Sequence, residues 1–351
     1  MPVLVAAPDK FRGTATAAQV AEAVARAGTR FGWSVIESPL SDGGEGLLEA
    51  CRRPGDQLET TEVTGPLGEP ESASWLLGED LAVIEMAQAS GLSLAGGPRG
   101  NWPLAATTRG TGQLLVAAAR ALTVTRSPSS DGPLPSIIIG LGGSATTDGG
   151  SGALEIIQEA GGLGQVDLIA ACDVSIGFLD AARLFGPQKG ATPVQVVALA
   201  DRLDRLAEEY ERRFGINVRD IPGAGAAGGL GGGLAALGGR LEAGYRLVAD
   251  LVGLPRTLGG ADLVITGEGS LDATSFTGKV VDGVLGDASA LGIPSLVIAG
   301  QTTSEAVALA GGLGAEVVSL TDRFGEDRAN RDTLPCVGEV VAHALQSFPG
   351  T

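Results

Sequence analysis

The chain has 351 residues, enough for two domains that each bury a hydrophobic core. Charged residues make up 19 % and apolar ones 44 %, which excludes intrinsic disorder, and no apolar run reaches the ~18 residues of a membrane span. A net charge of −17 argues against nucleic acid and anionic membrane as partners but leaves room for a small anion, because within a Debye length of about 8 Å a few local cations outweigh distant carboxylates.

Cys51, Cys172 and Cys336 are scattered and odd in number, so neither a disulfide framework nor a zinc site is expected. The opening MPVLVAAPDKFRG has no basic leader, and its apolar part is too short for a signal peptide; the expected location is the cytoplasm. Of 24 basic residues only Lys10, Lys189 and Lys279 are lysine. They fall in DKFRG, PQKGA and TGKV, glycine-flanked turns where a compact point charge differs in use from the planar fork of arginine.

Residues 3–7 read as a short buried strand, followed by the loop DKFRGT and a helix over 16–30 with apolar residues at helical spacing. That order puts Lys10 and Arg12 at a strand's C-terminal end, where open parallel sheets bind ligands. Residues 35–40 repeat the design and end in SDGGEG, whose carboxylates, Asp42 among them, suit Mg²⁺ or a hydroxyl-bearing substrate. Residues 58–86 change character: short alternating runs separated by GPLGEP and GED read as antiparallel hairpins and mark a boundary near residue 60. Glu85 on an apolar strand is a candidate for a buried polar role. A helix runs from about Arg109 to Leu122, with Thr107 or Thr108 as its cap. Arg109 in the first turn opposes the helix dipole and is therefore a candidate for facing an anion such as a substrate carboxylate. Residues 122–135 read as a polar linker.

The segment 137–152, IIIGLGGSATTDGGSG, is the most distinctive in the chain. A β-branched strand leads into a glycine-rich turn before a helical segment near 153–159. Such a turn exposes backbone N–H groups beside a helix N-terminus, an expected anion site. Gly142, Gly143, Ser144 and Thr146 would cradle the anion, and Asp148 adds a carboxylate for a metal, a substrate hydroxyl or simply a helix cap. A strand over 166–171 then ends at Cys172-Asp173, and 193–213 reads as a solvated amphipathic helix. PGAGAAGG matches the dinucleotide pattern in letters but follows a polar segment instead of a strand, so close helix packing or a supporting turn is the better reading. The last ninety residues alternate strands (262–266, 295–299, 316–320) with helices, and GEGSLD after the first of them offers Glu268 and Asp272. Residues 1–60 and 261–351 are thus expected to form one domain with a parallel five-stranded sheet, with 61–260 inserted.

There is no GxxxxGK[ST] and no protein-kinase motif set, and the single histidine, His343, sits in an apolar helical stretch. Histidine-based triads are therefore out. Glycine-rich turns carrying Asp, Glu, Lys, Ser and Thr suit phosphoryl transfer, which needs positioning, cations and a carboxylate base more than a nucleophile.

In APDKFRGT, PLSDGGEG, VTGPLG, VIEMAQASGL, TTRGTGQLL, GLGGSATTDGG, ACDV, FGPQKGA, PGAGAAGGLGGGL and DLVITGEGSLD, in that order, the sequence resembles the glycerate kinase family. The resemblance implies a flavodoxin-like parallel domain interrupted by a second α/β domain with a mixed sheet. It implies ATP-dependent phosphorylation of D-glycerate to 2-phosphoglycerate in an interdomain cleft, with Mg²⁺ as cofactor and glycerate and ATP as the small-molecule partners. A homodimer stays open, as do two other functions: a kinase of a related small hydroxy acid, and an inert small-anion-binding protein of the same fold. On this reading Lys10, Arg12 and Lys279 neutralise phosphate charge, and Lys189, Asp173 and Asp272 join the ligand-binding set. Arg109 holds the substrate carboxylate. Asp42, Asp148 and Glu268 compete for the general-base role and for Mg²⁺, with Asp42 and Glu268 as the expected metal residues. The chain departs from the family pattern at PDKFRG, where relatives often read PDSFKG, and in the short stretch 161–166 ahead of ACDV.

Overall fold

A computed structural model describes residues 1–125 and 132–346. Among them are eleven strands: β1 (Val3–Ala6), β2 (Ser34–Glu37), β3 (Gln57–Thr64), β4 (Pro70–Leu77), β5 (Leu81–Glu85), β6 (Ser136–Gly140), β7 (Asp167–Cys172), β8 (Arg240–Ala243), β9 (Leu263–Leu271), β10 (Ser295–Thr302) and β11 (Ala315–Ser319). The chain divides into two compact units, Met1–Asp42 with Glu49–Cys51 and Gly244–Thr351, and Gly43–Leu48 with Arg52–Ala243.

The first unit is built on an all-parallel sheet in the order β11-β10-β9-β1-β2. Counted within the unit this is 2-1-3-4-5, the flavodoxin-like order. Its crossover helices follow from patterning. Ala17–Arg30 buries Val20, Ala21, Val24 and Ala27 along one face, and Thr16 and Gln19 close its N-terminus as a reciprocal capping box. It packs beside the C-terminal helix Thr333–Gln346, which buries Cys336, Val337, Val340, Val341 and Leu345.

β9 is longer than its apolar residues suggest. The GEGSL segment, expected as a turn, continues the strand, with Glu268 opposite Ala299 and Ser270 opposite Gln301 of β10. Gly267 permits this, because a Cβ there would overlap the Ile298 carbonyl of β10. A local reading of two glycines and a glutamate favours a loop; ladder pairing with a neighbour distant in sequence overrules it.

The second unit carries a mixed sheet, β3-β4-β5-β6-β7-β8. β3, β4 and β5 form the expected antiparallel hairpins, and β5 through β8 run parallel. The parallel strands read as apolar runs because helices cover them: Arg109–Thr125 and Ser151–Glu159 pack against each other, and Leu114, Leu115, Leu122, Ile137 and Ile139 fill one core. Arg109–Thr125 extends past residue 122, so the first residues of the expected linker are helical; residues 126–131 lie outside the described residues. β8, four residues with two charges, had no apolar signature to mark it as a strand.

Glu85 does hold a buried polar role. Its carboxylate accepts the Leu48 N–H at 3.1 Å at the start of the one-turn helix Leu47–Ala50, while burial pushes its pKa up. Helix Ala226–Ala236, inside the glycine run, is wholly buried and kinked by positive φ at Ala227, Gly228 and Gly229. A Cβ at Gly228 would overlap the Thr146 carbonyl, and one at Gly232 would overlap the Phe178 ring. Close packing against the central motif therefore explains these glycines.

Candidate active site

In the first unit β1 and β9 are neighbours, yet the chain leaves β1 toward β2 and leaves β9 toward β10, on the opposite side. The C-terminal ends of such a pair open a crevice, which is where open α/β sheets place ligands. A cavity of about 520 Å³ lies there, lined among others by Asp9, Lys10, Arg12, Asp42, Glu268 and Lys279. The two strand ends are pinned together, Asp9 N–H donating to the Gly267 carbonyl at 2.9 Å and the Thr266 hydroxyl to the Ala7 carbonyl at 2.8 Å.

Lys10 Nζ sits between two carboxylates, 3.5 Å from Asp9 Oδ1 and 3.6 Å from Asp42 Oδ1. Asp9 Oδ1 also accepts the Lys10 backbone N–H at 2.7 Å, which fixes the side chain's root. Burial disfavours the Lys10 charge, but Asp42 and then Asp9 more than offset it and raise its pKa. Burial pushes Asp9 up to about 6, with Lys10 opposing. Glu268 goes further, to about 7, because burial and the nearby Asp9 and Asp42 charges outweigh a Ser275 hydrogen bond and the Lys279 charge. Its Oε1 is buried without a hydrogen-bond partner. Glu268 lines the cavity, and a buried carboxylate oxygen without a partner is suited to take up a proton. Asp272 is otherwise employed: its Oδ1 accepts the Thr274 N–H at 2.7 Å and hydroxyl at 2.6 Å, which hold its pKa down. Lys279 occupies the N-cap position of helix Val280–Ala290 at the cavity wall, and Arg12 is exposed along it.

The glycine-rich motif of the second unit is arranged differently. Asp148, 5 % exposed, accepts four hydrogen bonds: the Thr108 N–H and hydroxyl at 2.8 Å each and the Gly152 N–H at 3.4 Å on Oδ2, and the Gly150 N–H at 3.1 Å on Oδ1. It thereby ties the start of helix Arg109–Thr125 to that of Ser151–Glu159. The helix N-terminus expected to meet an external anion is filled by the chain's own carboxylate. Thr146 and Thr147 are fully enclosed. Lys189, 4 % exposed, donates from Nζ to Ser144 Oγ and to the Thr146 carbonyl, both at 2.7 Å. Burial pulls its pKa down to about 7, with the Asp148 charge opposing. What remains open is the first part of the turn, Gly142 and the exposed Gly143. Their N–H groups have no acceptor among the described residues.

Arg109 pairs with Glu155 and lies 3.9 Å from Glu159. Asp173 stands half-buried just beyond the end of β7. A second cavity in this unit, about 400 Å³, is lined by Thr107, Asp148, Ser151, Glu155, Arg202 and Tyr210, among others, and does not include Ser144 or its glycines.

The structure thus gathers Lys10, Arg12, Asp42, Glu268, Asp272 and Lys279 around one cavity. Asp148, Ser144, Thr146 and Lys189 form a buried knot in the other unit. Sequence reasoning missed Asp9, whose place beside Lys10 at a strand end was the available signal. It also missed Asn101, which donates to the Ala145 and Lys189 carbonyls at 3.0 and 2.8 Å, and Asn330 on the cavity wall; no local pattern marks either.

The glycerate kinase family model matches residues 4–160 and 157–335, which together span most of the chain. An uncharacterized protein of Mycobacterium bovis is 39 % identical over 99 % of this chain and 93 % of its own length. A glycerate 2-kinase of Escherichia coli K12 is 36 % identical over 86 % of each, and a glycerate kinase of Haemophilus influenzae 39 % over 84 % and 85 %. The crystal structure of a candidate glycerate kinase 2 from Salmonella typhimurium LT2 superposes with a TM-score of 0.80 at 32 % identity, covering 99 % of this chain and 98 % of that one. The two matched stretches overlap at residues 157–160, at the end of helix Ser151–Glu159 and just ahead of the short stretch 161–166. With the family model matched across most of the chain and a solved structure superposing on 99 % of it, the chain belongs to the glycerate kinase family.

Proposed function

We propose that this protein transfers the γ-phosphoryl group of ATP to a hydroxyl of D-glycerate, giving 2-phosphoglycerate. The observation that carries this reading is the switch-point cavity. It combines a carboxylate poised near neutral pH, a buried acceptor oxygen without a partner, and three cations at its wall.

Glu268 is the residue proposed to take the proton of the attacking hydroxyl. A base works best when its pKa lies near the working pH, and about 7 meets that condition. Its free Oε1 is the atom that would accept. Lys10, Arg12 and Lys279 supply positive charge for the transferring phosphoryl group. Lys10 is held for this by Asp9 and Asp42, at 3.5 and 3.6 Å. Asp148, with four hydrogen bonds already accepted, is proposed to hold the loop instead of serving as the base. Arg109, paired with Glu155, is likewise proposed to have no part in holding the substrate carboxylate.

The cavity's oxygen donors also fit Mg²⁺, which is commonly held by one or two carboxylates together with substrate phosphates. Asp42 is the cavity carboxylate that would hold it, leaving the unpartnered Oε1 of Glu268 for the proton. Bound Mg²⁺ would neutralise charge on the phosphate oxygens and so favour the transfer.

The test is ADP release from ATP and Mg²⁺ with and without D-glycerate, followed by phosphorus NMR of the product. Glycerate-dependent ADP and a 2-phospho ester are the expected result. A folded protein that releases no ADP with glycerate, but does with another small hydroxy acid, would move the substrate assignment.

A further inference from the structure

Lys189 is enclosed with neutral hydrogen-bond partners only. Its Nζ contacts Ser144 Oγ and the Thr146 carbonyl, and no carboxylate lies within ion-pair distance of it among the described residues. Enclosing a cation without a paired anion is costly, so its placement calls for a compensating use. The turn that it grips provides one. Ser144 Oγ accepts from the ammonium, so the single hydroxyl proton of Ser144 points away from Lys189 and toward another acceptor. The neighbouring Gly142 and Gly143 N–H groups meet no acceptor among the described residues either, and Gly143 adopts φ +72°, the left-handed conformation that turns successive N–H groups to one side. The turn is clamped from below: Leu92 N–H donates to the Gly143 carbonyl at 2.8 Å and Ala145 N–H to the Ser90 carbonyl at 2.9 Å, while Asn101 bridges the Ala145 and Lys189 carbonyls.

We propose that Lys189 is a positioning residue which, through Ser144 and Thr146, aims the hydroxyl and N–H donors of the glycine-rich turn at one anionic oxygen group of a bound ligand. That group is a phosphate of ATP or the carboxylate of glycerate. Only this choice of ligands rests on the function proposed above. Lys189 does not itself touch the ligand. When it loses its proton, the neutral amine can accept from Ser144, and the hydroxyl proton is drawn inward and lost to the ligand. Asp148 is the charged group whose field reaches Nζ. Arg99 on helix Gly97–Gly100 and Arg183 on helix Ala181–Phe185, the elements packed beside it, are exposed.

The experiment is calorimetric titration of the full-length protein and its Ser144→Ala variant with ATP, and separately with D-glycerate, from pH 6.5 to 8.5. The ligand's own titration cancels between the two proteins. For one of the two ligands the wild-type affinity should exceed that of Ser144→Ala by about tenfold at the acid end. The two curves should converge at the alkaline end; the ligand that shows this supplies the anionic group. Lys189→Met, where it folds by thermal melt, should match the alkaline wild type at every pH, and the double variant should be no weaker than either single one. Parallel curves for both ligands, or additive losses in the double variant, would overturn the proposal. So would failure of the folded wild type to bind either ligand. Converging curves in a protein without glycerate-dependent ADP formation would sink the glycerate reading alone, and parallel curves in an active enzyme would do the reverse.

Discussion

The cavity at the ends of β1 and β9 and the glycine-rich knot beyond β6 draw on the same residue types, lysine, aspartate and small hydroxyls among glycines, and put them to opposite uses. In the cavity Lys10 is shared by two carboxylates and Glu268 keeps one oxygen without a partner. In the knot every oxygen of Asp148 is taken, and Lys189 spends two donors on the loop itself. Burial moves pKa values in both places, carboxylates up in one and an ammonium down in the other, because it disfavours whichever form is charged. The lesson is that the most conspicuous motif in the chain spends most of its side-chain polar groups on internal hydrogen bonds, and the carboxylate with an unpartnered oxygen stands in a less conspicuous segment.

The sharpest way to break this contrast is Glu268→Gln. It should lower kcat/KM by roughly 10²- to 10⁴-fold with an unchanged melting temperature. The wild-type kcat/KM should rise with pH through about 7 as Glu268 loses its proton, and the variant should lack that limb. Comparable activity in the variant would remove Glu268 from the base role.

Gly228→Ala tests the packing of the knot. It adds a Cβ against the Thr146 carbonyl at φ +70°. A loss of about 3 kcal/mol or more in denaturant unfolding is expected. A loss below about 1 kcal/mol would mean that the close approach is not tight.

Asp148→Asn should act on the same knot by about 2 kcal/mol. It replaces an acceptor-only group with an amide whose NH₂ faces backbone donors. The contrast holds if kcat per folded molecule stays within severalfold, and it fails if the variant keeps its stability while turnover falls by orders of magnitude.

Lys189 yields a smaller, pH-dependent signature. Its folded pKa of about 7 lies below the ordinary 10.5, so between those values the unfolded chain binds more protons than the folded one. Stability then rises with pH across that window. Urea midpoints measured from pH 7 to 10 should show this rise, and Lys189→Met should flatten it.

Arg109→Ala is expected to do least. Its partners are exposed glutamates, and such pairs contribute under about 1 kcal/mol. The KM for glycerate should stay within about twofold; a tenfold rise would return Arg109 to the substrate carboxylate.

Local pattern reading succeeded where a residue's environment follows from its near neighbours. The apolar runs of β1, β6 and β10, the helical spacing of Ala17–Arg30 and the hairpin alternation of β3–β5 are all of this kind. It failed for the GEGSL end of β9 and for β8, whose strand character comes from ladder partners remote in sequence. Among the candidate residues, Lys10, Arg12, Asp42 and Glu268 were legible as strand-end charges. Asp9 was overlooked beside Lys10, and Asn101 and Asn330 carry no local mark.

By itself the sequence determined the alternation of strands and helices and which charged side chains stand near strand ends, because periodicity and residue type are local properties. Through its ordered motifs it also determined the family. Only the tertiary structure decided which of those side chains keep an open valence. Whether a carboxylate has donors on both oxygens, as Asp148 does, or keeps one without a partner, as Glu268 does, depends in part on donors brought from far along the chain, as Thr108 is brought to Asp148 across forty residues.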